Sequence, residues 1–108
     1  MSIPAQFENV TAVCKANVYF DGGVVSHVLQ WPDGTKKTLG LIRPGSYTFN
    51  TDAAETMQLT AGTCRVKRRG EAQWTSYSEG ETFEVPGSSA FEIAVDEGLC
   101  QYICSFHA

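Results

Sequence analysis

The stretch Glu55-Thr56-Met57-Gln58-Leu59-Thr60-Ala61-Gly62 decides the fold class, because apolar and polar residues alternate along it until a glycine ends the run. Met57, Leu59 and Ala61 occupy its odd positions, and a period of two is typical of a strand with one buried face. Gly62 then supplies a residue that favours turns. The stretch predicts a half-buried β-strand followed by a tight turn.

The same organisation continues on both sides of this strand. Turn-forming pairs recur at short spacing, and the segments between them are rich in β-branched and aromatic residues. Odd positions carry the larger apolar side chains in residues 25–31, 83–85 and 91–95, whereas even positions look inward in residues 100–106. The pattern predicts an all-β fold with little or no helix, a single small antiparallel β-barrel or jelly roll.

Composition limits the partners. The chain has 108 residues, so residues 1–108 are expected to form one domain, with residues 1–9 as an irregular N-terminal arm. A net charge of −4 argues against nucleic acid as a partner. The basic run Lys67-Arg68-Arg69 is interpreted as the solvated end of a hairpin. The sequence contains no apolar run near 18 residues and no signal peptide, so we expect no membrane partner and a cytoplasmic location.

The four cysteines are expected to be free thiols in a reducing compartment. Cys100 and Cys104 fall on one predicted strand and face the same side. A strand places them about 13 Å apart, which is too far for a disulfide. No Cys-x-x-Cys pair is present to indicate structural zinc.

Two spacings resemble the paired motifs of cupins. Glu55 and Gly62 are placed like the second half of the first cupin motif, and Gly80 with Pro86-Gly87 resembles the start of the second. The metal-binding histidines of a cupin are absent, because their positions fall near three other residues: Thr51, Ala53 and Phe91.

A metal centre needs about three inward N or O ligands, and Glu55 is the one obvious candidate on that face. His27 could point inward, and His107 is expected to fray at the C-terminus. We therefore predict that the protein binds no intrinsic metal.

A closer resemblance covers roughly residues 16–106. The segments that carry it are Tyr19-Phe20-Asp21-Gly22, Asp33-Gly34-Thr35, Lys37-Thr38-Leu39-Gly40, Pro44-Gly45, Tyr47-Thr48-Phe49 with Thr51, Glu55 with Met57, and Phe83 with Val85-Pro86-Gly87 and Phe91. They resemble the short, single-domain pyrimidine/purine nucleoside phosphorylase family. Gly23 departs from the family pattern, since a basic residue is frequent there, and the loop at residues 71–78 looks variable.

The resemblance implies a reversible reaction of broad specificity. Purine and pyrimidine nucleosides react with phosphate to give a free base and a pentose 1-phosphate, without a metal or organic cofactor. Such a site must hold an anion, grip the ribose hydroxyls and stabilise the departing base, while positive charge develops on the sugar.

The residues at the predicted barrel mouth can be matched to these demands. Glu55 is the predicted catalytic residue, gripping the ribose, with a solvated turn carboxylate as the alternative. The predicted substrate-binding residues are Thr48, Thr51, Met57, Phe91 and Tyr102. The predicted phosphate-binding residues are Arg43, Ser88 and Ser89, for which surface charge and ordinary turn chemistry are the alternatives. Phe49 shares the inward parity, and core packing is favoured for it.

Two rival functions remain open. One is a metal-free binding module that holds a sugar or small metabolite without turnover, and the other is a metal-dependent cupin enzyme with unusual ligands. A homodimer is also expected, because open strand edges need covering.

Overall fold

The computed structural model describes residues 3–107, which form two antiparallel β-sheets. The strands are β1 (Thr11–Ala12), β2 (Asn17–Tyr19), β3 (Val24–Gln30), β4 (Lys36–Ile42), β5 (Gly45–Asn50), β6 (Ala54–Ala61), β7 (Thr63–Arg68), β8 (Thr75–Ser78), β9 (Thr82–Val85), β10 (Ala90–Val95) and β11 (Cys100–His107). One short 3-10 turn, Phe20–Gly22, follows β2. No α-helix occurs within residues 3–107.

The seven-stranded sheet has the order β1-β3-β4-β11-β6-β9, with β2 paired to β3, and the four-stranded sheet has the order β5-β10-β7-β8. Every adjacent pair is antiparallel. The two sheets face each other across a shared apolar core. The predicted all-β fold of the cupin kind is confirmed.

Alternation determines which side chains enter the core. Met57 and Leu59 of β6 are 4% and 0% exposed, as the opening stretch predicts. Phe91 and Ile93 of β10 are also buried, and so are Cys100, Tyr102 and Cys104 at the even positions of β11, whereas the even position Phe106 is exposed.

The predicted parity of β3 is wrong. Val24 and Ser26 are buried, whereas His27 is exposed. The odd positions misled because the outer face of this sheet is also apolar: Val25 lies opposite the exposed Leu41 of β4.

The N-terminal arm lies along that outer face. Residues 3–10 contain no strand or helix, and Phe7 packs edge-on against Trp31 with ring centroids 5.2 Å apart. Pro4–Phe7 border the same depression as Leu39 and Ile103. This cover accounts for Ile103 being buried although it points away from the core. Residues 1 and 2 of the predicted arm lie outside the described residues.

Gly40 allows the interior of the seven-stranded sheet to hold a large side chain. It is the register partner of Tyr102, and a Cβ on Gly40 would collide with that ring. The tyrosine ring therefore lies across β4 in the space that a side chain would otherwise occupy.

Candidate active site

A cavity of about 200 Å³ lies between the two sheets. Its opening is marked by three exposed residues of the lining, Tyr19, Asn50 and Phe106. The complete lining is Tyr19, Ser26, Thr38, Ile42, Phe49, Asn50, Glu55, Met57, Phe91, Ile93, Tyr102, Cys104 and Phe106. The volume is below the ~300–1,000 Å³ of common ligand pockets, so part of a ligand larger than a sugar would extend to the opening.

The seven-stranded sheet contributes every charged, hydroxyl-bearing or thiol-bearing side chain that lies inside the opening of the cavity. We call this set the polar floor, and its members are Ser26, Thr38, Glu55, Tyr102 and Cys104. Register places Thr38 opposite Cys104 and Tyr102 opposite Gly40, whose other neighbour is Ser26. The polar groups therefore lie in adjacent rows of one sheet.

The four-stranded sheet contributes an apolar surface to the cavity. We call this surface the apolar wall, formed by Phe49, Phe91 and Ile93. Phe49 and Phe91 are register partners, and their rings stack with centroids 5.5 Å apart at 21°. Phe20, which follows β2, contacts Phe49 edge-on with ring centroids 5.4 Å apart.

Glu55 is the sole carboxylate of the lining, and its surroundings disfavour its charge. Burial raises the pKa of Glu55 above the usual carboxyl value, while a hydrogen bond with the Cys104 thiol lowers it in part. Burial also raises the pKa of Cys104, with Glu55 adding to the effect, so Cys104 stays a neutral thiol at pH 7. The Cys104 thiol can donate a hydrogen bond to a hydroxyl-bearing ligand, and the Glu55 carboxylate can accept one from it.

Tyr102 provides a second neutral donor on the floor. Burial raises the pKa of Tyr102, and Ser26 lies within hydrogen-bonding reach of its phenol. Asn17 in turn donates to the Ser26 hydroxyl at 3.4 Å. The phenol therefore stays protonated and can donate to a ligand at neutral pH.

The cavity suits a ligand with one hydroxylated side and one flat side. Hydroxyl groups can pair with the floor, and a planar ring can stack on the wall. No Lys, Arg or His belongs to the lining. The lining therefore offers neutral donors and one carboxylate to a ligand, but no cationic side chain.

The structure brings together four of the residues singled out from the sequence: Glu55, Met57, Phe91 and Tyr102 line one cavity. Phe49 packs against the core, as favoured for it from the sequence, and it also lines the cavity.

Thr48 and Thr51, both predicted to bind substrate, lie outside the cavity. Thr48 is exposed opposite Glu92 and borders a depression on the outer face of the four-stranded sheet. The Thr51 hydroxyl donates to the Pro86 carbonyl at 2.7 Å and accepts from the Ser89 amide at 3.0 Å. These two bonds tie the loops that precede β6 and β10, which is a structural role.

The three predicted phosphate-binding residues also lie outside the lining. Arg43 is exposed between β4 and β5, and its carbonyl accepts from the Tyr47 hydroxyl at 2.9 Å. Ser88 is exposed in a left-handed conformation with φ of 49°, and Ser89 follows it. Their phosphate roles remain predictions, because no contact joins them to the floor or the wall.

Sequence reasoning missed three floor residues, Ser26, Thr38 and Cys104. The inward parity of β11 already placed Cys104 on the inner face. Parity does not show, however, whether a small polar side chain lines a cavity or fills the core.

The interpretation of Arg68 as part of a solvated hairpin end is wrong. Arg68 shares the inward parity of the buried Val66, donates to the Glu84 carbonyl at 2.7 Å and reaches the Tyr77 hydroxyl at 3.1 Å. It is therefore a structural arginine, not part of a solvated hairpin end.

Neither histidine faces the cavity. His27 is exposed and its Nδ1 lies 3.1 Å from the Val13 carbonyl, so the inward orientation considered for it is wrong. His107 belongs to β11 and its Nε2 lies 2.7 Å from the Thr56 hydroxyl, so the expected fraying is wrong as well. Within residues 3–107, no three His, Cys, Asp or Glu side chains are grouped so that they could hold a metal ion.

The fold and the cavity together define a cupin-like barrel with a cavity between its two sheets. A sequence profile of the pyrimidine/purine nucleoside phosphorylase family matches residues 14–106. The chain belongs to this family. In the part of the chain that the structure describes, no helix is long and apolar enough to cross a membrane.

Individual relatives agree over nearly the whole chain. A pyrimidine/purine nucleoside phosphorylase from Cupriavidus taiwanensis is 56% identical over 94% of this chain and 96% of its own length. One from Burkholderia ambifaria is 54% identical over 98% of this chain and 99% of its own. The crystal structure of a protein of unknown function from Acinetobacter sp. ADP1 is similar with a TM-score of 0.93 at 43% identity, covering 96% of this chain and 100% of that one.

Proposed function

We propose that this protein is a pentosyltransferase, a nucleoside phosphorylase of broad specificity that converts purine and pyrimidine nucleosides and phosphate reversibly to base and pentose 1-phosphate. The observation that carries the proposal is the two-sided cavity. Its polar floor matches a ribose, and its stacked wall of Phe49 and Phe91 matches a flat base. Family membership supports the same activity.

The residues divide the chemistry in a simple way. The ionised Glu55 carboxylate accepts hydrogen bonds from ribose hydroxyls and stabilises the positive charge that develops on the sugar ring. Phosphate attacks the anomeric carbon, a C–O bond forms, and the C–N bond breaks with its electron pair leaving on the base. A proton from solvent or phosphate neutralises the base. Phosphate is the co-substrate, and the proposal requires no metal or organic cofactor.

An aromatic wall explains broad specificity physically. Stacking on Phe49 and Phe91 depends on a π-face, which every base presents, rather than on a hydrogen-bond pattern. The wall residues Phe49, Phe91 and Ile93 offer no polar side-chain atom that would select one base edge.

A direct assay tests the activity. The protein is incubated with uridine or adenosine, with and without phosphate, and free base is followed by chromatography. We expect base release that depends on phosphate and survives a chelator. Absence of phosphate-dependent release would contradict the proposal, whereas loss of activity with the chelator would favour a metal-dependent cupin enzyme.

A non-catalytic binding module is the second candidate, favoured by the absence of any cation in the cavity lining. Such a module would bind uridine in calorimetry yet leave it intact after prolonged incubation with phosphate. Turnover in the same sample eliminates this alternative.

We also propose a homodimer in a reducing cytoplasm. The edge strands β5, β8, β9 and β1 offer unpaired backbone groups that a second copy can cover. All four cysteines, Cys14, Cys64, Cys100 and Cys104, are free. A monomeric mass in sedimentation at micromolar concentration would contradict the dimer.

A further inference from the structure

The proposed reaction leaves one chemical demand unmet by the cavity. Phosphate carries negative charge, and proteins hold it with Arg, Lys, or convergent backbone N–H groups. The lining contains Glu55, which repels an anion when ionised, and no basic residue to offset it. A cation at the opening close to Glu55 would meet this demand.

Several basic side chains are engaged elsewhere. Arg65 pairs with Asp96 at 2.9 Å, Lys67 with Glu92 at 3.8 Å, and Arg68 with Glu71 at 3.4 Å.

Lys37 faces the outside of the seven-stranded sheet. Its Nζ donates to the Ser105 hydroxyl at 2.7 Å and lies 6.0 Å from the Trp31 ring. Since adjacent residues of a strand point to opposite faces, Lys36 points to the inner face. The burial of Thr38 and Ile42, two and six residues further on, confirms which face is inner.

Strand register places Lys36 in the row of Glu55. The pairing of β11 with β4 ends at Ser105 opposite Lys37, and extending it by one residue brings Phe106 beside Lys36. Phe106 is also the register partner of Glu55 on β6. Two strand spacings separate the Cα atoms of Lys36 and Glu55, about 10 Å.

The end of the cavity beside these two residues is accessible to solvent. Phe106 lies between them, lines the cavity and is 44% exposed, so it forms the rim at this end. Lys36 is exposed at the start of β4. A lysine stem spans roughly 6 Å, which allows the ammonium group to cross the Phe106 ring and reach the opening beside Glu55.

We propose that Lys36 is the phosphate-binding cation of this protein, holding the anion over Phe106 at the open end of the cavity. The inference rests on the proposed phosphorylase function and adds a residue that neither the motifs nor the cavity lining identified. Phosphate there lies between the Lys36 ammonium group and a sugar held on the polar floor. Lys36 also offsets the repulsion between phosphate and the Glu55 carboxylate.

The experiment uses the adjacent lysine as a matched control. Phosphate affinity is measured by calorimetry on the free protein, and KM for phosphate and for uridine by steady-state assay. Lys36→Ala is expected to weaken phosphate binding and raise KM for phosphate about 10- to 100-fold, the effect of losing one charged hydrogen bond. KM for uridine should stay within about twofold. Lys37→Ala should match the wild type, and Lys36→Arg should restore most of the affinity.

The outcomes separate this inference from the proposed function. An active wild type in which Lys36→Ala and Lys37→Ala have equal KM for phosphate overturns the role of Lys36 while leaving the phosphorylase intact. A wild type that binds phosphate through Lys36 without releasing base contradicts the phosphorylase but supports the anion site. A wild type that binds no phosphate overturns the anion site.

Discussion

The floor and the wall of the cavity differ in what they contribute to the molecule. The wall side chains Phe91 and Ile93 are almost fully buried and belong to the main core, so they stabilise the fold whether or not a ligand is present. The floor carries Glu55, whose charge is disfavoured by burial, and the hydroxyls of Ser26 and Thr38. Both sheets contribute to the core, and the seven-stranded sheet also carries the polar groups suited to chemistry.

The largest expected effect is on stability, from the wall. Phe91→Ala removes a buried ring that contacts both Phe49 and Phe83, and should cost about 3–5 kcal/mol of unfolding free energy. Urea denaturation measures the loss. Phe106→Ala, at the exposed rim, serves as the control and should cost far less. Equal losses would contradict the division between wall and rim.

The second effect is on activity, from the floor. Glu55→Gln should lower kcat/KM for uridine about 100-fold, because charged hydrogen bonds are worth roughly 1.5–3 kcal/mol. Glu84→Gln is the control, since Glu84 is exposed on the neighbouring strand β9. Similar activities of the two variants would remove Glu55 from the catalytic role.

The raised pKa of Glu55 also predicts how its effects change with pH. Its folded-state pKa lies above the unfolded value, so the folded protein binds the proton more tightly. The stability contribution is therefore present at low pH and lost as pH rises through the folded pKa. In thermal melts, the stability of Glu55→Gln relative to the wild type should increase as the pH rises through the folded-state pKa. Wild-type kcat/KM should increase over the same interval, and a wild-type profile that is flat there would contradict an ionised Glu55.

The third effect tests the packing beneath the floor. Gly40→Ala places a Cβ against the Tyr102 ring and should cost about 1–3 kcal/mol of unfolding free energy through overpacking. Tyr102→Leu in the same chain should relieve the clash, so the two costs should not add. Additive costs in denaturant would show that the ring does not lie over Gly40.

The smallest expected effect is on nucleoside affinity, and it separates stacking on Phe49 from the apolar packing of that side chain. Phe49→Leu keeps an apolar side chain but removes the aromatic face, which is worth about 0.5–1.5 kcal/mol. KM should rise about 2- to 10-fold for uridine and adenosine alike, with KM for phosphate unchanged. A rise for one nucleoside alone would contradict stacking as the source of broad specificity.

Alternation explains why much of the wall and part of the floor could be predicted. Met57, Phe91 and Tyr102 were identified because a period of two assigns each strand an inner face wherever the opposite face is polar. The same rule failed on β3, where Val25 on the outer face is as apolar as Val24 on the inner one. Parity requires a contrast between faces, and the apolar outer face at Val25 and Leu41 removes that contrast.

The sequence by itself determined the all-β fold and the absence of cupin histidines, and it singled out Glu55, because these depend on local patterns and single residues. The tertiary structure alone decided which inward residues line a cavity and which fill the core. It also placed Thr51, predicted to bind substrate near the barrel mouth, outside the cavity lining, where it is bound to the loop at Pro86 and Ser89. Register between distant strands sets these neighbours, and it placed Lys36 in the row of Glu55 although 19 positions separate them in the sequence.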